Sequence, residues 1–333
     1  MEKKIIHGFM IACLLLLSAC SQGEEKAVVV EEEGSIRKIR LGSGPLSSPD
    51  YAAATFLCQS FLKYHTGPTV PCDTMVSQGS MHNLLALHEG KVEFGIARAD
   101  GIYRAWQGEP PFKNSFPELR VLFALHQEIM TLVIPEAAKL SNLRAVQGKR
   151  IAFDSKDADN ARVILDLLKA CAIEADQTVP YGDQKIDQLS QAFKEQSFDA
   201  FFALLNHPND LLGSVSQEQN FAILPLSEDC VETMVQSRAF YDKGIIPGEI
   251  YPNVPTNIPS FGIRSWILAS TEAPEETVYA MVKAVFEHID ELRKIHPALH
   301  RLSPREMLPQ FSVPYHNGAL KYFVEKGWFV QER

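Results

Sequence analysis

The sequence predicts an α/β protein folded as two lobes with a ligand cleft between them. Three observations carry that prediction. Residues 36–97 alternate strand, helix, strand, helix, strand. A second alternation of the same kind begins near residue 143 and runs past residue 205. The chain has 333 residues, 46% apolar and 22% charged, which is ample for two buried cores and excludes wholesale disorder. Such alternation implies parallel sheets covered by helices, with ligands received at the carboxyl ends of the strands beside helix N-termini.

The chain opens with Lys3 and Lys4, then an apolar run over 5–17 interrupted only by His7 and Gly8. That run is shorter than the roughly 20 residues of a membrane span and has the form of a secretory signal. It ends Leu17-Ser18-Ala19-Cys20, the pattern of a bacterial lipobox, in which Cys20 is acylated and becomes the first residue of the mature chain. The other reading is a signal that ends in Cys by coincidence. With Ser21 rather than an acid after Cys20, sorting to an outer membrane is permitted. Residues 20–35 are polar, rich in Glu and free of aromatics, and read as a tether. The expected localisation is the periplasm, with the folded body lipid-anchored to the envelope membrane.

The body then follows in order. Residues 36–41 alternate as a strand, and a Gly- and Ser-rich turn, 42–49, leads to a helix over 51–64 that Asp50 would cap. Residues 69–75 read as a second strand, 77–80 as a turn, 81–88 as a helix and 92–97 as a third strand. Residues 121–134 read as one strand or two near a crossover. The second unit runs through a turn at 143–149, a strand at 150–153, a polar loop at 154–160, helices at 161–172 and 185–193, and strands at 199–205 and 222–226. Four prolines within 245–259 argue against regular structure there, and the remainder reads as helix over 275–296 and 317–325. The predicted division is a signal at 1–19, a tether at 20–35, a first lobe at 36–130 plus about 250–333, and a second lobe at 131–249.

Composition bears on partners. Acids number 41 against 32 Lys and Arg, a formal charge of −9, so a nucleic-acid partner is not expected. Of the six cysteines, Cys13 leaves with the signal and Cys20 takes the lipid. Cys58, Cys72, Cys171 and Cys230 remain, and they permit three pairings. Cys58 with Cys72 closes the shorter loop, and four buried thiols are the competing reading. No CxxC occurs and the histidines are scattered, so no metal is expected; nor is a cofactor. GxSxG, P-loop and HExxH motifs are absent from the sequence, so no enzymatic activity is expected.

The ordered segments Leu41-Gly42-Ser43-Gly44 with Tyr51, Ser77-Gln78-Gly79-Ser80-Met81-His82-Asn83, Phe94-Gly95-Ile96-Ala97-Arg98-Ala99-Asp100, Gly108-Glu109-Pro110-Pro111-Phe112, Ile246-Pro247-Gly248 with Tyr251-Pro252, and Pro314-Tyr315-His316-Asn317-Gly318-Ala319 carry a resemblance. Over about 36–327 the chain resembles the TAXI solute receptors of TRAP transporters. The resemblance implies a periplasmic-binding-protein fold of the second type and a TRAP-type membrane permease as partner. It also implies a small anionic ligand such as glutamate or a dicarboxylate. The chain departs from that family at Pro45–Pro49, at 154–160, and at Arg98, where a Gln is common.

Candidate ligand-binding residues follow from both sources. Ser43, Gly44, Gly79 and Ser80 lie in turns before helices, where backbone N–H groups attract carboxylates; simple capping is the alternative. Asn83 lies one turn later. Arg98 offers a planar fork for a carboxylate, or a salt bridge to Asp100, which would orient it or accept from an amine. Tyr51 is a cleft wall or a core residue. Asp157 and Asp159, with Asn160, would repel an anion, bind an amino group, or lie in a solvated loop. Asn206 and His207 follow an apolar strand, and Tyr251 comes from the proline-rich segment. The leading expectation is a lipid-anchored receptor that closes on a small, anionic solute. The alternatives are a sensor that signals to a membrane partner, an enzyme on the same scaffold, and a structural envelope lipoprotein.

Overall fold

The burial of Ile39, Leu41 and Gly42 sets β1 (Ile39–Gly42) at the centre of a parallel group. In this computed structural model, which describes residues 38–67, 70–154, 157–173, 179–183 and 185–329, β1 pairs with strands on both sides. The signal segment 1–19, Cys20 and the tether 20–35 lie outside the described residues. So do Ser155 and Lys156 of the second polar loop.

After β1 comes α1 (Pro49–Tyr64). Ser48, not Asp50, caps it: the Ser48 hydroxyl accepts from the Tyr51 N–H, Pro49 fills the first turn, and Asp50 sits inside that turn. Next are β2 (Cys72–Met75), α2 (Ser80–His88) and β3 (Phe94–Arg98), with β2 and β3 flanking β1 in parallel. A disulfide joins Cys58 of α1 to Cys72 of β2, with the Cα atoms 5.2 Å apart. A helix the sequence did not reveal, α3 (Ala99–Gln107), starts directly at the end of β3; its Gly101 weakened the pattern, but its apolar face is buried through Ala99, Ile102 and Ala105.

The segment read as one strand or two is a single 17-residue strand, β4 (Leu119–Pro135). A second parallel group follows, in which β5 (Arg150–Phe153) carries on to α4 (Ala158–Ala170), β6 (Val179–Asp183), α5 (Leu189–Lys194) and β7 (Ala200–Leu205), with β5 between β6 and β7. Here α4 begins three residues before its expected start, because the Asp157 carboxylate accepts from the Asn160 N–H and caps it. Asp159 and Asn160 therefore sit in a first helical turn and not in a loop. Two further helices, α6 (Asp210–Glu218) and α7 (Glu228–Ser237), surround β8 (Phe221–Leu224). Cys171, just past α4, is disulfide-bonded to Cys230 of α7.

The proline-rich stretch is flanked by β9 (Asp242–Ile246) and β10 (Ile258–Ser270). β10 is not foreseen in the sequence, which reads as irregular over 245–259. Most of its residues are buried, and Ser260, Gly262, Arg264 and Ser265 interrupt its apolar positions, so it shows neither a clean alternation nor a continuous apolar run. The chain closes with α8 (Glu275–Glu287), α9 (Ile289–Ile295) and α10 (Asn317–Glu325); the expected single helix over 275–296 breaks at His288. Gly318 lets α10 lie against α8, since a side chain there would meet the Glu275 backbone oxygen.

The described strands form one ten-stranded sheet in the order β2-β1-β3-β10-β4-β7-β5-β6, with β8 also on β4 and β9 also on β10. β4 and β10 are antiparallel to each other and belong to both parallel groups. The second half of β10 pairs with β3, and its first half with β9. The second half of β4 pairs with β7 and β8. Their mutual register shifts between Arg264 and Trp266, where one group gives way to the other. Trp266 and Tyr322 are among the largest fully buried side chains.

Candidate functional site

Arg98 ends β3 and opens α3, which places it at the carboxyl end of the first parallel group. Its backbone N–H donates to the Ser80 hydroxyl at 3.0 Å. Its side chain reaches three other elements. Nε and Nη2 donate to the two oxygens of Asp100, at 2.8 and 2.7 Å, in a bidentate fork. Nη1 donates to Glu128 Oε2 of β4 at 3.0 Å and to Asn160 Oδ1 of α4 at 2.6 Å. One guanidinium thus joins the first parallel group, a strand common to both groups, and a helix of the second.

The charges explain why it stays there. Burial works to lower Arg98, but Asp100 and then Glu128 outweigh it and hold the guanidinium well above its ordinary pKa. Burial pushes the Asp100 carboxyl up, and the Arg98 charge and hydrogen bonds bring it below the ordinary value. Glu128 is less well compensated: burial raises it, and Arg98 offsets this only in part. Asp159 is raised by burial and then by Asp100, against the pull of Arg98 and of Arg162.

Beside this hub lies a second set of groups. His126 and Glu128 alternate along β4 onto one face. Arg98 and Ser265 are register partners on β3 and β10, as are Glu128 and Ile263 on β4 and β10. Asp50, from the first turn of α1, points its Oδ1 toward His126 Nε2 at 3.7 Å, too long for a hydrogen bond. That oxygen is buried and unpartnered, and so is His126 Nδ1. Burial pushes Asp50 up to about 7, against the neighbouring Ser265 hydroxyl and the Arg98 charge. Burial brings His126 down to about 4. Four carboxyl groups, Asp50, Asp100, Glu128 and Asp159, therefore surround one guanidinium.

The turn residues of the first group are built into the scaffold around this hub. Ser43 is fully buried, donates to the Met75 oxygen at 2.8 Å, and its own carbonyl accepts from Ser77 and Asn83. Asn83, also fully buried, donates to the Ser43 and Ile96 carbonyls at 2.5 and 2.7 Å, stapling α2 to β1 and β3. A side chain on Gly44 would collide with the Ser48 hydroxyl. Gly79 caps α2 with φ +100°, a conformation that favours glycine. Ser80 directs its hydroxyl to the Arg98 backbone. Tyr51 is half-buried in the first turn of α1.

The structure does not gather His207 and Tyr251 into this hub. They form a separate chain with Thr131 of β4. Thr131 donates to the Ile129 carbonyl, so it accepts from His207 Nε2 at 2.9 Å. His207 Nδ1 then accepts from the Tyr251 hydroxyl at 2.8 Å, and the Tyr251 oxygen accepts from the Asn209 N–H at 2.7 Å. One consistent direction of donation fixes a neutral imidazole protonated at Nε2. Burial agrees, bringing His207 down to about 4 and raising Tyr251 to about 12. Asn206 is half-buried at the start of this segment.

The family model described as NMT1-like family matches residues 41–327. The chain belongs to the NMT1-like family. Among solved structures, this NMT1-like protein is similar to the periplasmic sulfonate-binding protein SsuA from Methylobacillus flagellatus KT, with 14% identity and a TM-score of 0.52 over 88% of each chain. It is also similar to PhnD1 from Prochlorococcus marinus (MIT 9301), solved with methylphosphonate, with 10% identity and a TM-score of 0.52 over 88% of this chain and 99% of that one. At these identities the likeness establishes the fold: the mixed α/β architecture of periplasmic substrate-binding proteins.

In this NMT1-like chain, sequence reasoning singled out Arg98, Asp100, Asp159 and Asn160, and the structure brings these together. It missed His126, Glu128 and Ser265, and read Asp50 only as a cap. The His126–Glu128 spacing of two within an otherwise apolar strand was the available signal. Ser265 had none, because its strand was not recognised.

Proposed function

We propose that this protein is an extracytoplasmic solute receptor whose two lobes, about 36–130 with 250–333 and 131–249, close on a small molecule. The observation that carries this reading is the Arg98 hub. It lies at the carboxyl ends of the first parallel strands and is tied to the N-terminal turn of α4 in the second group, the position at which open α/β sheets receive ligands. The two long strands β4 and β10, with their register shift near Ser265, supply the hinge. The fold shared with periplasmic substrate-binding proteins supports a binding protein rather than an enzyme. The lipobox at Cys20 supports anchoring to the envelope membrane. No helix among the described residues is long and apolar enough to cross a membrane.

The resemblance to TAXI receptors favours delivery of the solute to a TRAP-type membrane permease. A sensor that presents its closed form to a signalling partner is the second reading, favoured by the departures from the family at 45–49 and 154–160. The resemblance also favours a small anionic solute. Such an anion would reach Arg98 only by displacing Asn160 or competing with Asp100 and Glu128. Of the remaining candidates, Ser43, Gly44, Gly79, Ser80 and Asn83 would brace the hub from behind and Tyr51 lies in the same turn as Asp50, while Asn206, His207 and Tyr251 lie apart from it.

Native mass spectrometry of the full chain purified from its own envelope tests the receptor reading. A co-purified small molecule that also raises the melting temperature of the stripped protein is expected. Absence of any such molecule, with no thermal response across amines, amino acids and carboxylates, overturns it. Crosslinking in intact envelopes, followed by identification of the partner as a permease or a signalling protein, separates the two readings.

A further inference from the structure

Around Arg98 the charges do not balance. Asp100 takes two of the five guanidinium N–H groups, and Glu128 and Asn160 take one each. That leaves Asp50, the second oxygen of Glu128, and Asp159 facing the same space with little cationic company. Arg162 meets Asp159 only at 3.4 Å from the edge. The side chains of Asp50 and Glu128 are 21% and 25% exposed, although Asp50 Oδ1 itself is buried.

An acidic cluster alone says little, and a second observation gives it direction. His126 is 2% exposed and presents Nε2 toward Asp50 Oδ1, yet stops at 3.7 Å. Asp50 Oδ1 is thereby a buried acceptor without a donor, next to a ring nitrogen that does not reach it. An unpaired buried acceptor costs about 1–3 kcal/mol, more when charged, and native proteins seldom keep one without a use for it. A hydrogen-bond donor would satisfy this oxygen, and a cationic N–H would offset the carboxylate charge as well.

Resting on the receptor reading above, we infer that the site takes its solute through a protonated amino group, received between Asp50 and Glu128 beside His126. A bare metal ion fits less well: among the described residues no three His, Cys, Asp or Glu converge as a metal site requires. A quaternary ammonium lacks the N–H that Asp50 Oδ1 needs. An anion would enter against four carboxyl groups. The groups facing Asp50 are Arg98 from β3, His126 and Glu128 from β4, and Ser265 from β10. Of these only Arg98 is cationic, since burial keeps His126 neutral. Burial is the main cause that raises Asp50, Glu128 and Asp159, and Arg98 offsets it only in part.

Calorimetric titration of the full chain at pH 8 with 1,4-diaminobutane, 4-aminobutyrate, choline and succinate tests this. One or both primary amines bind, and choline and succinate do not. Asp50→Asn weakens the amine about tenfold or more, and Glu128→Gln does likewise. Asp50→Asn removes a desolvated charge, so its unliganded melting temperature stays at or above that of the wild type, which keeps loss of fold apart from loss of binding. Amine affinity falls from pH 8 to pH 6 as Asp50 takes up a proton. Binding of succinate without either amine, or amine binding untouched by Asp50→Asn, overturns the amino-group assignment and leaves the receptor reading standing. If no probe binds, the molecule co-purified with the native protein decides: an amine in its composition supports the inference, and a molecule without one overturns it. No probe binding and no co-purified molecule overturns both.

Discussion

Arg98 Nη1 lies 2.6 Å from Asn160 Oδ1, and this bond links the end of β3 to the first turn of α4. Since Asp157 in turn caps α4 through the Asn160 N–H and amide, the helix N-terminus is oriented for the contact. The bond acts as a latch between the two parallel groups. Asn160→Ala removes one charge-assisted bond and is expected to lower stability by about 1.5–3 kcal/mol. It is also expected to increase the radius of gyration by small-angle scattering. An unchanged radius would show that closure does not depend on this contact.

Arg98→Ala leaves Asp100 and Glu128 without their counter-ion in a buried setting and is expected to cost about 3–5 kcal/mol in urea unfolding. Arg98→Lys should recover little of this, because an ammonium cannot reproduce the fork that Nε and Nη2 make with Asp100. Near-complete recovery by Lys would reduce the hub to charge alone.

The two disulfides should make separable contributions. Loop-closure arguments assign about 3 kcal/mol to the 14-residue Cys58–Cys72 separation and about 4 kcal/mol to the 59-residue Cys171–Cys230 separation. Unfolding of the Cys58→Ser/Cys72→Ser and Cys171→Ser/Cys230→Ser double variants checks the values, and non-reducing peptide mapping checks the pairing. Crossed pairs in the map would contradict both.

Gly79→Ala isolates backbone conformation from packing. No atom lies within 4 Å of where the new Cβ would sit, so the cost comes from φ +100° and ψ −157°. A loss of about 1–3 kcal/mol is expected from chemical denaturation. A variant as stable as the wild type would mean that the turn adopts another conformation.

The pH dependence has opposed parts, and His126, also brought down to about 4 by burial, acts in the same sense as His207. His207 falls from 6.5 to about 4 on folding, so the unfolded chain binds the proton first and stability drops as pH falls from 6.5 toward 4. Asp50 rises from 3.8 to about 7, so its ionisation destabilises the fold increasingly from pH 4 to 7, and acidification relieves it. His207→Gln should remove up to one proton's slope, about 1.4 kcal/mol per pH unit, between pH 4 and 6.5. Asp50→Asn should steepen the acid loss over the same window. Coincident curves for wild type and both variants would refute the assignment.

Much of the first parallel group was legible, because its strands and helices are short, local and separated by Gly and Ser turns. In the second group β5, α4, α5, β7 and β8 were legible, while β6, β9 and β10, with the helices α3, α6 and α7, were not. β10 is buried on both faces between β3 and β4, which erases the alternation that marks a half-exposed strand. The site was half legible for the same reason. Arg98, Asp100, Asp159 and Asn160 stand at recognisable strand and helix ends, and His126, Glu128 and Ser265 come from mid-strand positions that only the β3-β10-β4 pairing brings together. His207 and Tyr251 were singled out by their places after an apolar strand and in the proline-rich segment, and Thr131, the residue that gives them their hydrogen-bonding direction, lies far from them in sequence.

The position of β10 also bears on the order in which the molecule can be assembled. β3 has its hydrogen-bonding edge opposite Ser265 to Ala269, so that edge has no native partner until nearly the whole chain has been synthesised. The parallel trio β2-β1-β3 must wait as an open-sided sheet, a template for mispairing between chains. Folding is thus expected to be slow and to finish from the C-terminal side, with a nascent chain ending before β10 prone to self-association.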